Sequence, residues 1–222
     1  YEFTRNLKTT GYGFNGRLGV LFRPNDNIRV GVTIHTPTKF MLSDNYSDEL
    51  YVLQDDGHVD DLRTVDKEFS YSVTTPAKYG VQAAYIFGKN GFVSGEVVAL
   101  DYSLMSISSD DDLFLGTNEV IVNKYRNTMN LKLGGEYAIN SFRMRGGFAS
   151  IGNPLQTSGD FSRKILSGGF GFHEHNWAFD IGLSKDLTTD TYVPYTIAGV
   201  APASVSSQVT GTRLMLTITN KF

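Results

Sequence analysis

The chain contains no cysteine, which excludes a disulfide framework, a thiolate nucleophile and any cysteine-ligated metal site. It has no apolar run near the roughly 18 residues that a membrane-crossing helix needs. Mean hydropathy is -0.19, so a helical membrane protein is excluded too. Neither sign of charge dominates: 20 Lys and Arg stand against 23 Asp and Glu, a net charge of -3. With a pI of 5.8, that balance argues against a nucleic-acid partner. Catalytic signatures are also missing. No Gly-x-Ser-x-Gly nucleophile motif occurs, so the chain is not expected to be an enzyme, although His58 and nearby aspartates are residue types that a hydrolase uses. His173-Glu174-His175 offers ligand-type side chains without a third ligand and reads as a solvated turn. Asp110-Asp111-Asp112 lacks the spacing and glycine pivot of a calcium loop, so it reads as solvated surface. No cofactor and no metal is expected. Tyr1 is not an initiator and no charged-then-apolar leader precedes it, which reads as a mature or trimmed product.

What is present points to strands. The chain of 222 residues carries 23 Gly, 12 Tyr and 15 Phe, a composition that suits strands and aromatic girdles better than helices. Its last stretch, VSSQVTGTRLMLTITNKF, sets the pattern. Counting back from Phe222, the positions Ile218, Leu216 and Leu214 are apolar, while Lys221, Thr219, Thr217, Met215 and Arg213 lie between them. Successive Cβ atoms of a strand point to opposite faces, so a period of two marks a strand between an apolar and a polar environment. An apolar strand that ends on an aromatic is what the closing strand of an outer-membrane β-barrel shows, read by the barrel-assembly machinery. Phe222, Ile218, Leu216 and Leu214 are the candidate signal, with Asn220 standing where an aromatic is usual.

The same alternation recurs along the chain. Residues 12–23 alternate Phe14, Leu18, Val20 and Phe22 against Asn15, Arg17 and Arg23, and a turn follows at Pro24-Asn25-Asp26-Asn27. Residues 28–36 set Ile28, Val30, Val32 and Ile34 against Arg29, Thr33 and His35. An acidic loop is expected over residues 43–65, then a strand to Phe87 that includes Lys78, and a hairpin at Asn90-Gly91. Residues 92–105 return outward. Residues 120–138 are expected as one long strand, with Tyr125, Met129, Leu131, Leu133 and Tyr137 opposite Arg126, Asn130, Lys132 and Glu136. Asn140-Ser141 turns the chain into Phe142, Met144 and Phe148 against Arg143 and Arg145. Residues 161–172 form a strand, a turn covers 173–176, and Trp177, Phe179, Ile181 and Leu183 oppose Asp180 and Ser184. A long loop over 187–204 precedes the closing strand.

Connections therefore alternate short and long, as in barrels with tight turns on one side of the membrane and longer loops on the other. About nine strands are expected, whereas bacterial single-chain barrels have an even number. At least one strand is thus expected to be missing from the front. The expected architecture is all-β: an antiparallel transmembrane outer-membrane β-barrel of a Gram-negative bacterium, with residues 1–222 as one part of a single barrel domain.

Four segments carry a resemblance: GYGFNGRLGVLFRPNDNIRVGVTIHTPTKF from Gly11, TTPAKYGVQAAYIFG from Thr74, VALDYS from Val98 and GGFASIGNP from Gly146. They resemble the FadL/TodX family of outer-membrane transporters for long-chain fatty acids and other hydrophobic compounds. The resemblance implies a barrel of about fourteen strands with an N-terminal plug. This chain then corresponds to the C-terminal part, without plug or first strands. It also implies uptake of a hydrophobic small molecule, with outer-membrane lipid, lipopolysaccharide and the assembly machinery as partners. The polar-facing cations Arg17, Arg29, Lys78, Arg126, Lys132, Arg143, Arg145 and Arg213 are the candidate ligand-binding residues. Leu21, Ile86, Leu100 and Met215 are scattered apolar neighbours for an aliphatic tail. Lumen cations also commonly pair with carboxylates of neighbouring strands, here Glu96, Glu136 and Asp180. The alternative is a non-transporting relative that docks a protein partner in a membrane complex.

Overall fold

In the computed structural model, residues 1–156, 160–192 and 205–220 are described. Nine strands form one antiparallel sheet: β2 (Arg17–Phe22), β3 (Ile28–His35), β7 (Lys78–Phe87), β8 (Gly91–Asp101), β10 (Asn127–Ile139), β11 (Phe142–Ile151), β12 (Arg163–Glu174), β13 (Trp177–Tyr192) and β14 (Val205–Asn220). Each pairs with the next in that order. A second sheet is built from β1 (Glu2–Phe14), β4 (Lys39–Leu53), β5 (Val59–Arg63), β6 (Lys67–Thr74) and β9 (Ser106–Ser108), in the order β1-β4-β6-β9 with β5 on β4. The nine strands expected from alternation are the nine of the large sheet.

Register decides which residues share a face. Phe179 stands opposite Phe172 and Ile218, Ile181 opposite Phe170 and Leu216, and Leu183 opposite Leu214. Leu133 and Phe148 continue that face, as do Val81, Val97 and Leu131. The opposite face carries Asp180 across from Thr217, Arg145 across from Glu136, and Lys132 across from Glu96. No described element packs on the apolar face. Leu216 is 72% exposed, and Leu100 at 5% is the one buried hydrophobic among the described residues. A soluble sandwich would bury such a face against a second layer. A single-layer wall with apolar residues out and charges in is the pattern of a barrel wall in lipid.

The smaller sheet continues the larger one past a belt of strand breaks. Asn15-Gly16 separates β1 from β2, Thr36-Pro37-Thr38 separates β3 from β4, and Thr75-Pro76-Ala77 separates β6 from β7. Proline has no N–H for the ladder, so side chains stitch the belt. Gly16 N donates to Thr36 Oγ1 at 2.8 Å, Asn15 Nδ2 to Thr38 Oγ1 at 2.9 Å, and Thr38 N to Thr75 Oγ1 at 3.0 Å. Arg17 pairs with His35 and Phe14 with Lys39. The second strand therefore carries one residue more across the break, a bulge that reverses its alternation. The Asn15–Thr38 bond places both side chains on one face, so the charged face of β2 and β3 passes to the face of Gly13, Phe40 and Leu42. There Tyr71 stacks with Phe69 at 5.7 Å, and Phe114 lies 5.9 Å from Phe69. The apolar outer face passes instead to a face of hydroxyls.

Several expectations are corrected. Residues 115–124 form a helix, α1 (Leu115–Lys124), and the strand starts only at Asn127. Val120, Ile121 and Val122 make a strand-like run, but a tertiary contact decides. Asn118 receives the N–H of Ile107 at 2.9 Å and donates to its carbonyl at 2.7 Å, so the helix covers the edge of β9. The acidic segment 43–65 is mostly the β4–β5 hairpin, turned at Gly57 with φ 84. Most of its charges sit on strands, and Asp48 pairs with Arg5 of β1 at 2.7 Å. That hydrogen bond from Arg5 holds the Asp48 carboxyl below its usual range. The pair's contribution is thus present above the ordinary carboxylate pKa and fades as pH falls through the lowered one. Residues 2–14 form β1, and β13 runs on to Tyr192, so the connection before β14 starts later than expected. Phe222 lies outside the described residues. Ile218, Leu216 and Leu214 take the apolar face, as expected.

Candidate functional site

The polar face holds two side-chain networks and one row in which two cations flank a histidine. The first network spans β10 to β13. Arg145 Nε donates to Glu136 Oε2 at 2.6 Å, and its Nη1 donates to Asp180 Oδ1. Asp180 Oδ1 lies 3.0 Å from His173 Nε2, and Arg143 Nε is 3.5 Å from His173 Nδ1 and 3.8 Å from Glu136 Oε1. The ring closes on itself: two guanidiniums and two carboxylates surround His173.

Arg145 and Asp180 sit on β11 and β13, which are not neighbours, and the bond between them must cross β12. Gly169 stands opposite Arg145, and Gly171 opposite both Arg143 and Asp180. A Cβ on Gly171 would come within 2.3 Å of Asp180 Oδ1 and 3.2 Å of His173 Nε2. Gly171→Val is therefore expected to push Asp180 off the ring and cost about 1–3 kcal/mol, the scale of overpacking. The temperature at which the folded band converts to the unfolded one on a gel measures that loss, and an unchanged temperature contradicts it.

The second network joins β3, β7, β8 and β10. Lys132 Nζ reaches Glu96 Oε2 at 2.8 Å, while Gln82 Nε2 donates to Glu96 Oε1 at 3.3 Å and to Thr33 Oγ1 at 2.9 Å. Beside it a cavity of about 500 Å³ opens, lined in part by Leu21, Arg29, Gln82, Glu96 and Lys132. Arg29 donates to the carbonyls of Asn25 at 2.8 Å and Ile28 at 2.9 Å. Of the eight cations predicted from sequence, four are thus held by strands or turns: Arg29, Lys132, Arg143 and Arg145. Arg126 lies just before β10, where Nε donates to the carbonyl of Asn153 at 3.0 Å. Arg213 stands opposite Ser184, within electrostatic reach of Asp186.

The remaining two form a row with a residue outside the predicted eight. Arg17, His35 and Lys78 stand directly opposite one another on β2, β3 and β7. Among the described residues neither Arg17 nor Lys78 makes an ion pair. The next level down is Gly19, Thr33 and Gly80, and Leu100 stands beside Lys78. Two cations thus flank His35, with small and apolar neighbours. Alternation places His35 on the polar side of its strand, and only register shows that it joins two cations. His173 escapes sequence reasoning for another reason: β12 extends through Glu174, so a residue expected in a turn lies in the sheet. His175, with φ 43, makes the turn itself. Among the described residues, no group of three or more His, Asp or Glu gathers as a metal site.

No protein-family model and no curated protein matches the chain. Solved structures do. A Pseudomonas aeruginosa FadL homologue superposes with a TM-score of 0.53 at 14% identity, over 96% of this chain and 68% of that one. The chain has the FadL-type fold. The P. putida toluene transporter TodX gives a TM-score of 0.50 at 14% identity, over 96% of this chain and 50% of TodX. This chain thus spans about half the length of TodX. On the FadL-type sheet, both charge networks and the Arg17–His35–Lys78 row lie on the face opposite the apolar band.

Proposed function

We propose that the chain is the C-terminal part of an outer-membrane channel that takes up hydrophobic small molecules, and that its ligands include long-chain fatty acids. Strands outside this chain would pair with β2 and β14, the two edges of the large sheet. The observation that carries the reading is the Arg17–His35–Lys78 row, in which neither Arg17 nor Lys78 has an ion-pair partner among the described residues. A carboxylate head seated there would gain charge-assisted hydrogen bonds. An aliphatic tail would run past Gly19 and Gly80 toward Leu21 and the neighbouring cavity. The FadL-type fold, shared with the toluene transporter TodX, supports a hydrophobic cargo.

In this reading Arg143 and Arg145 are structural, because Glu136 and Asp180 already neutralise them. The test compares cells carrying Arg17→Gln and Lys78→Gln with the parent. Uptake of a labelled long-chain carboxylate should fall about tenfold or more, as expected for one or two lost charge-assisted bonds, while surface level and folded gel mobility stay unchanged. Undiminished uptake in the folded double variant removes the row from the route.

A further inference from the structure

We propose that the hydroxyl face of the smaller sheet binds the sugar of a neutral glycolipid anchored in the surrounding leaflet. The proposal rests on the barrel reading above, because the bulge at Thr36-Pro37-Thr38 is what makes this face continuous with the lipid-facing one.

Three hydroxyls stand in register across neighbouring strands: Thr10 on β1, Ser43 on β4 and Ser70 on β6. The next level carries Tyr12, Met41, Ser72 and Ser108. Strands repeat at about 4.8 Å, close to the length of one sugar ring, so adjacent hydroxyls can meet adjacent rings of a saccharide. These residues line a groove of about 500 Å³. Tyr12 is 67% exposed beside it and offers an aromatic face for the C–H side of a sugar ring. The wall also holds Ser109.

The chemistry of the groove selects a neutral glycan. Lys39 and Asp110, one of each sign, line it, and Glu68 at its margin already accepts from Ser43 Oγ at 2.8 Å. An anionic head finds no surplus cation, and an acyl chain finds too many hydroxyls. Position selects a lipid-borne sugar over a free one. Lys39 and Thr74 at the foot of the face are the first and last residues of β4 and β6, one strand break away from the apolar band. A headgroup at the level of the membrane surface reaches that foot without leaving its leaflet.

The experiment places the full-length protein in phosphatidylcholine nanodiscs that contain either digalactosyl diacylglycerol or diacylglycerol alone, and counts retained lipids by native mass spectrometry. The parent should retain the galactolipid preferentially. Ser43→Ala, Ser72→Ala and Tyr12→Ala together should reduce that preference about tenfold, the scale of one or two hydrogen bonds. These side chains are exposed or half-buried, and folded gel mobility confirms that the triple variant assembles. Free digalactose in solution should displace the lipid only weakly, and efficient displacement would overturn the leaflet source. Equal retention of both lipids by the parent, or an unchanged preference in the folded variant, overturns the proposal. Emission of Trp177, with any tryptophan elsewhere in the full-length protein replaced by Phe, is followed in discs with brominated acyl chains. Quenched emission with no sugar preference rejects this proposal alone, whereas unquenched emission rejects the barrel reading beneath it.

Discussion

Leu216→Arg is expected to abolish assembly of the barrel, while Thr217→Arg, one residue along β14, assembles normally. Leu216 is opposite Ile181 on the apolar face, and Thr217 is opposite Asp180 on the charged one. A charge at mid-depth on the lipid face costs about 2 to 4 kcal/mol, a large fraction of the roughly 5 to 15 kcal/mol by which a folded domain is typically stable. On the other face a new cation meets Asp180, which lies within reach of Arg145 and His173. Density-fractionated membranes and heat-modifiable gel migration separate the outcomes. Equal assembly of both variants would remove the distinction between the two faces.

Reversing both charges of the ring, with Arg143→Glu and Arg145→Glu, should also prevent assembly rather than impair uptake alone. The change would gather two new carboxylates with Glu136 and Asp180 on one patch of four strands, where the parent has three arginine–carboxylate ion pairs. Breaking a buried pair from one side costs about 3–5 kcal/mol. Arg145 is 37% exposed at its side chain and Asp180 22%, so solvent screening puts each lost pair well below that figure. The repulsion among four carboxylates adds to it. Swapping the partners, with Glu136→Arg placed in the Arg145→Glu background, should restore much of the gel-shift temperature, because Arg145 Nε and Glu136 Oε2 are in direct contact. A double reversal that assembles normally would show that the ring contributes little.

The membrane-facing architecture is legible in the sequence because the side-chain period of a strand is two and one face meets lipid. Trp177, Phe179, Ile181 and Leu183 can face only one way once Asp180 is assigned inward. Alternation places a residue on a face, but it does not say which residue stands beside it. Arg143, Arg145, Glu136 and Asp180 all read as polar-facing. That they close a ring depends on the β10–β11 and β12–β13 registers and on two glycines in β12. The Arg17–His35–Lys78 row is likewise a matter of register. The regions beyond the apolar band are harder, because in water both a loop and a hairpin carry charge. The acidic residues 48–63 therefore read as a loop although they belong to the β4–β5 hairpin. Residues 115–124 mislead because Val120 and Val122 suit a strand locally, and the docking of Asn118 onto Ile107 is a contact that no local pattern announces.

The central claim is that one face of this sheet meets lipid and the other does not. Quenching of single tryptophans by brominated acyl chains measures it most directly. With Trp177 and any tryptophan elsewhere in the full-length protein replaced by Phe, tryptophan is introduced at Leu183 or at Ser184, neighbours on β13 whose opposite partners on β14 are Leu214 and Arg213. Emission from the Leu183→Trp protein should be strongly quenched by bromines at mid-chain, and emission from the Ser184→Trp protein should be nearly unaffected. Equal quenching at both positions, or stronger quenching at Ser184, would contradict the account.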